Sequence, residues 1–240
     1  MFRKVDLHVH TTASNCYLDS IVPEAQLHTT PQDIVLAARE KGLEGIALVD
    51  HNTAGGIEGV RQAAGGNPVV FPGIEVSAQG GHVLAIFPED SPITPLSSLL
   101  LALGIEEEQA GLGYEETFHP IDQVFRMVAE RGGLAIAAHT DRRPKGFLAA
   151  DSLTLADKRR IYTSPYLAAL ELTIPQDRFL WGEGKAPGFP EKRSCIQGSD
   201  AHAPDEMGRR PVFIWAPQLN FASLKKALQE NLIRFPGDQE

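Results

Sequence analysis

The sequence predicts one α/β domain, a parallel sheet wrapped by crossover helices, on three observations. Apolar runs recur along the chain, helical patterns lie between several of them, and most of the runs end in a side chain able to bind a cation. Alternating strands and helices imply parallel pairing through crossover connections. In such folds functional groups collect at the carboxyl ends of the strands. With 240 residues and 42% hydrophobic content, the chain can bury a full core and is long enough for a seven- or eight-stranded α/β barrel.

In the first strand Val5, Leu7 and Val9 alternate with Asp6, His8 and His10, the period of a strand with two unlike faces. Both imidazoles then project to one side, about 7 Å apart, which suits convergence on one cation or on neighbouring ones. A polar stripe of this kind is costly inside a barrel unless a charge compensates it; the bland alternative is an exposed polar face. Gly45–Val49 leads into Asp50-His51, Val69–Ile74 into Glu75, Leu134–Ala138 into His139, and Ser194–Gly198 into Ser199-Asp200-Ala201-His202, while His82 opens the run Val83–Phe87. Helices are predicted at Pro31–Lys41 (Thr30 as N-cap, Gly42 as stop), Leu96–Leu103, Ile121–Arg131 and Phe221–Asn231. So many separate segments offering metal ligands favour a dispersed metal site.

The N-terminus enters the first strand directly, with no apolar leader. No run approaches the roughly 18 apolar residues of a membrane span. Cys16 and Cys195 lie far apart and need no disulfide, so the cytosol is the default compartment. A net charge of −9 argues against a broad basic surface gripping duplex nucleic acid. It remains compatible with a small phosphorylated substrate or a single nucleic-acid end, because bound cations would make the pocket locally positive. Oligomeric state is left open.

His8-Val9-His10 with Thr11–Ser14, Asp50–Thr53, Gly73–Glu75, Gly81-His82, Ala138-His139 and Gly198–His202 together resemble the PHP (polymerase and histidinol phosphatase) superfamily, from Asp6 to about Gly208. The resemblance implies a distorted TIM-like (βα)7 barrel over residues 1–240, with insertions at about 90–120, 141–167 and 173–193. It also implies a cluster of two to three divalent transition metals. His8, His10, Glu75 and Asp200 would hold the first metal. Glu75 would bridge to a second held by His82 and His139, and His51, His202 and Asn15 would hold a third. Family members offer aspartate or histidine where this chain has Asn15, so the third ion should bind more weakly, with Cys16 and Asp19 as nearby substitutes. Asp6 and Asp50 adjoin the ligands and are candidates to orient imidazoles.

Mixed imidazole and carboxylate ligands suit Mn, Fe or Zn, and paired metals activate a hydroxide that hydrolyses a phosphate ester without a protein nucleophile. No GxSxG elbow and no GxxxxGK[ST] loop occurs. Asp200 is the candidate for orienting the hydroxide, and either His202 or a metal-bound water protonates the leaving group. Arg142, Arg143 and Arg209 are candidate phosphate clamps. Trp181, in a loop rich in aromatics and cations, is a candidate base-stacking residue, or else packs on the barrel. His28 and His119 read as surface histidines. The predicted activity is phosphomonoester hydrolysis, with nucleotides such as nucleoside bisphosphates foremost. The alternatives are a 5′-to-3′ exonuclease on short oligonucleotides, a histidinol-phosphate phosphatase, or a non-catalytic metal-bound module that docks onto a partner.

Overall fold

The computed structural model describes residues 1–17 and 29–238; Asp19 and His28 lie outside the described residues. Strands β1 (Phe2–Val9), β2 (Gly45–Leu48) and β3 (Val69–Ala78) pair in parallel, joined by helices α1 (Pro31–Glu40) and α2 (Ile57–Ala64). The expected Thr30 cap is present: its side chain accepts from the Asp33 backbone N–H while Asp33 bonds back, a capping box that satisfies orphan donors of the first turn. The expected helices at 96–103, 121–131 and 221–231 appear as α3 (Thr94–Ala102), α4 (Ile121–Glu130) and α7 (Phe221–Gln229), each differing by a residue or two where end turns tighten or fray.

One expectation changes. Strand β4 (Gly81–Ile86) runs antiparallel to both β3 and β5 (Leu134–Ala137), because only Gln79 and Gly80 separate it from β3, too few residues for a crossover. This reversal matters for the site. It brings His82, at the start of β4, level with Ser77 near the end of β3. Strand β5 is followed by α5 (Leu155–Tyr162), which lies within the predicted 141–167 insertion, and then by β6 (Leu167–Glu171) and β7 (Cys195–Ile196) in parallel. The short helix α6 (Arg178–Gly182) lies within the 173–193 stretch.

Closure of the barrel is split along β1. Its first half pairs antiparallel with β8 (Val212–Trp215), which carries β9 (Ile233–Arg234). Its last residues meet the chain beyond β7: His10 N–H donates to the Ala201 carbonyl (2.9 Å), and Val9 and Ala201 form a parallel bridge. The fully buried Asp6 staples this seam, accepting from the Ser199 N–H at 3.1 Å and the Gly208 N–H at 2.9 Å. Asp6 therefore orients backbone and not an imidazole. Buried aliphatic faces of the strands and Ile34, Val60, Val124, Val128 and Leu224 of the helices form one continuous core. Among the described residues no helix is long and apolar enough to cross a membrane.

Candidate metal centre

Strand ends bring the predicted ligands into one buried cluster. His8, His10, His51, Glu75, His82 and His139 are all buried. The Glu75 carboxylate lies at the centre with its two oxygens facing different neighbours. Its Oε2 is 3.3 Å from His8 Nε2, 3.3 Å from His10 Nε2 and 3.0 Å from His51 Nδ1. Its Oε1 is 2.9 Å from His82 Nδ1 and 3.0 Å from His139 Nε2. Asp200 Oδ1 completes the first group, 3.3 Å from His8 Nε2 and 3.4 Å from His10 Nε2. Three sets of ligand atoms are close enough to share a cation: His8, His10, Glu75 and Asp200; His51, Glu75 and His82; and His10, His51 and His202.

Metal ions fit this constellation. Glu75 Oε2 is fully buried and makes no hydrogen bond, as do His51 Nδ1 and His139 Nδ1, although imidazole nitrogens crowd the oxygen. Buried polar atoms without partners are rare and costly, and a cation among convergent lone pairs would satisfy Glu75 Oε2 and His51 Nδ1. The nitrogens of His8 and His10 face each other at 3.1 Å, an arrangement that a shared cation or proton has to stabilise. Burial disfavours the Glu75 anion, yet His8, His51 and His82 outweigh it and hold the carboxyl well below its usual range. For His51, burial is overcome by the charge of Glu75 and by the neighbouring Cys16, which push it up to about 10.

Backbone strain concentrates here. Of the four non-glycine residues with positive φ among those described, Asn52 (50°), His139 (30°) and Asp200 (50°) belong to the site or touch it. Such conformations persist only where the surroundings enforce them. The insertion at 90–120 returns across the cluster. Gly111 N–H donates to the His51 carbonyl (2.8 Å), Asn52 Nδ2 donates to the carbonyls of Leu112 (3.0 Å) and Glu115 (2.9 Å), and Ser77 Oγ donates to that of Gly113 (2.9 Å). A Cβ on Gly113 would stand 2.7 Å from His51 Nε2, so only glycine lets the strap lie this close. Tyr114 and Phe118 are exposed on it.

Asn15 and Trp181 fall elsewhere. Asn15 is exposed, with its Oδ1 against Gly111, whereas the Cys16 thiol is the neighbouring side chain that hydrogen-bonds His51. Residues 12–17 form successive turns, closed by the Ser14 N–H on the Thr11 carbonyl and the Tyr17 N–H on the Ser14 carbonyl, and within them Cys16 is more buried than Asn15. Trp181 packs between Tyr162 (centroids 5.6 Å apart) and Phe189 (5.5 Å). The Trp181 carbonyl accepts from the Arg193 N–H, whose guanidinium holds the Leu167 carbonyl at the start of β6. That is the end of the barrel away from the ligands, so the structure does not bring Trp181 to the cluster.

Of the arginines, Arg142 reaches the cluster, donating to Asp200 Oδ2 at 2.7 Å. Arg143 instead pairs with the exposed Asp151. Arg209 donates to the Ser199 carbonyl (2.9 Å) and Glu206 (2.8 Å), which braces the loop that carries Asp200. Asp50 binds Thr11 and Ser14, and Ser14 Oγ in turn meets His10 Nδ1 at 2.9 Å, so it acts on an imidazole through a hydroxyl. His119 lies at the outer side, beside Gln123.

Sequence reasoning missed Glu171, which closes β6. Both its oxygens face His8 Nδ1, at 2.9 and 3.0 Å, and Oε2 accepts the His139 backbone N–H at 2.7 Å. The signal was present: Leu167–Leu170 is one more apolar run that ends in a carboxylate.

Similarity to known proteins agrees with this geometry. No family model matches the sequence. Over 145 residues, 57% of this chain and 67% of the relative, the chain is 31% identical to the uncharacterized protein MJ1587 of Methanocaldococcus jannaschii. Among solved structures, the lesion-specific endonuclease Q of Pyrococcus furiosus superposes with a TM-score of 0.69 at 19% identity over 98% of this chain. This chain spans 58% of that endonuclease's length. Endonuclease Q in complex with a 27-mer duplex bearing an abasic lesion also scores 0.69, at 19% identity over 96% of this chain and 57% of that one. A candidate metal-dependent phosphoesterase of Bifidobacterium adolescentis scores 0.53 at 20% identity, covering 85% of this chain and 91% of that one. The chain therefore belongs to the family of the archaeal protein MJ1587, built on a PHP-type barrel.

Proposed function

We propose that this protein is a metal-dependent phosphoesterase that hydrolyses phosphomonoesters, nucleotides such as nucleoside bisphosphates foremost, in the cytosol, where its two free cysteines would stay reduced. The observation that carries the reading is the Glu75 carboxylate, shared between two groups of imidazoles with one buried oxygen left without a hydrogen bond. His8, His10, Glu75 and Asp200 would hold one transition metal, and His82 and His139 with Glu75 a second. His51 and His202 would hold a third, with Cys16 in place of Asn15. Divalent Mn, Fe or Zn bound there would lower the pKa of a water and neutralise phosphoryl oxygens.

The protein's own groups supply the rest. Arg142, with one N–H on Asp200 and much of its side chain open to solvent, is placed to grip a phosphate oxygen through its remaining donors. Asp200 uses one oxygen toward His8 and His10 and the other toward Arg142, so the attacking and binding sides of a phosphate would share one carboxylate. Burial, with His10 beside it, pushes His202 down to about 4. It is therefore neutral near neutrality and better suited to give a lone pair than a proton. The aromatic contact that the sequence assigns to Trp181 passes to Tyr114, exposed on the strap that crosses His51.

A second reading, action on an oligonucleotide end, is favoured by the likeness over nearly the whole chain to a nuclease seen with a DNA duplex. One experiment separates the two: metal analysis of protein purified without chelator, then turnover of a nucleoside bisphosphate, a short single strand and a long duplex at equal phosphate ends. Fewer than about one equivalent of metal per chain after Mn, Fe or Zn supplementation would sink the phosphoesterase reading, since each closed ligand set should fill. Fastest turnover of the single strand would favour the second.

A further inference from the structure

Glu171 has no part in the ligand set, yet it touches both halves of it. Through His8 it reaches the first metal position, and through the backbone of His139 it reaches the second. The segment on its far side is tied down as well: the Glu171 carbonyl accepts the Thr140 N–H at 2.8 Å and the Thr140 hydroxyl at 3.0 Å. We propose that Glu171 is the positioning residue that sets the two metal positions relative to each other, by fixing the His8 tautomer and the strained backbone of His139 with one carboxylate. The inference rests on the metal-dependent reading above and extends it to a residue outside the ligand set.

The physical argument begins at His8. A carboxylate only accepts hydrogen bonds, so His8 Nδ1 must carry the proton. Nε2, which faces Glu75, Asp200 and His10, is then left as the lone pair for a cation. His139 adopts φ of 30°, a conformation that disfavours a side chain with a Cβ, and the charge-assisted bond from its N–H to Glu171 offsets that cost. Space for the clamp is made by Gly198, where a Cβ would collide with Glu171 Oε1 and lie 2.5 Å from His8 Cβ. Gly198 does not have positive φ, so its lack of a side chain serves this approach and not a turn. Glu171 is buried, and its carboxylate is enclosed by the contacts it makes with His8 Nδ1 and the His139 N–H. A third element thus converges on the same two ligands, and none of these contacts is needed to pair the strands.

Two variants test the clamp without changing a ligand. In Glu171→Gln the new amide N–H₂ can donate to His8 Nδ1, which admits the tautomer whose Nε2 is protonated and unable to bind. In Gly198→Ala the carboxylate survives, but the added Cβ crowds both Glu171 Oε1 and His8 Cβ and forces the two side chains apart. Each should weaken retention of both metals against a competing chelator by about 10- to 100-fold, the scale for partners of metal-bound histidines, and metal-free Glu171→Gln should melt close to wild type. The signature is spectroscopic. Zinc-loaded wild-type protein should show a far-downfield, exchange-protected imidazole N–H resonance from His8 Nδ1, absent from both variants.

Wild-type protein lacking that resonance overturns the proposal even if neither variant folds. Variants that keep the wild-type affinity for both metals overturn it too, as does a loss confined to one metal. Wild-type protein that takes up no zinc at all sinks the phosphoesterase reading itself, a result distinct from those three.

Discussion

Replacing Glu75 by Gln is the sharpest perturbation this site allows. The substitution keeps shape and volume but removes the charge that five imidazole nitrogens approach within 3.3 Å. An amide offers one acceptor where the carboxylate offers two, so one of the two groups must face an N–H₂ that repels a cation. A ligand that binds only the folded state at about 100 times its Kd adds about 2.7 kcal/mol. For a chain of this size each kcal/mol moves Tm by roughly 2–4 °C. Wild-type protein should therefore gain about 5–10 °C on saturation with Mn or Zn, and Glu75→Gln should gain almost nothing. Turnover should fall by at least about 10³-fold, the scale for removing a main electrostatic element of a site. The assays are differential scanning fluorimetry with and without chelator, and phosphate release. A variant that retains the full metal-induced shift, or loses less than about tenfold in turnover, would refute the bridging role.

Other outcomes follow from the same geometry. In metal-free protein, Glu75 and Asp200 lie well below the usual range, so their stabilisation is present above the unfolded carboxylate pKa and is lost on acidification. His8 and His51 are raised, the latter to about 10, so theirs is full below the unfolded histidine value near 6.5 and is lost as pH rises toward about 10. Metal binding requires both to deprotonate, so loading should move the pH of maximal Tm upward; coincident optima with and without metal would contradict the ligand set. Arg142→Ala should cost about 1.5–3 kcal/mol in kcat/KM with metal retained, while Arg143→Ala, whose partner is the exposed Asp151, should be silent; equal losses in steady-state kinetics would misplace the pocket. Tyr114→Ala should weaken nucleotide substrates by roughly 1–3 kcal/mol and spare a generic aryl phosphate, whereas Trp181→Ala should treat both alike and lower Tm. Cys195, buried and pushed up to about 12, should resist maleimide in native protein. Cys16 should react without metal and be protected on loading, which mass spectrometry of the labelled chain would show.

The legible parts of this protein were those with a local signal. An apolar run ending in a ligand gave His51 and His139 their positions, because a parallel strand delivers the residues that follow it to one rim, whereas Glu75 lies on β3 just past the point where parallel pairing with β2 gives way to the hairpin with β4. His82 reads against that rule, and the two-residue connection at Gln79 and Gly80 explains why: a hairpin reverses the strand and brings its first residue to the same rim. Glu171 obeyed the rule, yet strand-end position alone does not say whether a carboxylate meets a cation or an imidazole. The choice between Asn15 and Cys16 depended on which side of an irregular loop faces His51, a matter of a single residue that no period encodes. Trp181 was misplaced for a tertiary reason. Its loop leaves β6 at the ligand end, and α6 then folds back along the barrel to meet Tyr162 and Phe189.

The charge of the chain and the charge of its pocket point in opposite directions, and both bear on substrate choice. Overall the protein carries −9, a field that slows approach of polyanions and is screened beyond roughly 8–10 Å in physiological salt. Inside the rim, Glu75, Glu171 and Asp200 are the buried or half-buried carboxylates that face the imidazoles. Two divalent ions together with Arg142 would outweigh these three and leave the pocket net positive. A small phosphomonoester meets mainly the pocket, because its charge fits within the rim. A long duplex extends its phosphates over the acidic exterior and pays repulsion along its length. Endonuclease Q is longer than this chain, which spans little more than half of it, so its complex with a duplex does not require the barrel alone to hold DNA. The proposed activity is therefore expected to act on a terminal or free phosphate, and faster turnover of a long duplex than of a nucleoside bisphosphate would refute that expectation.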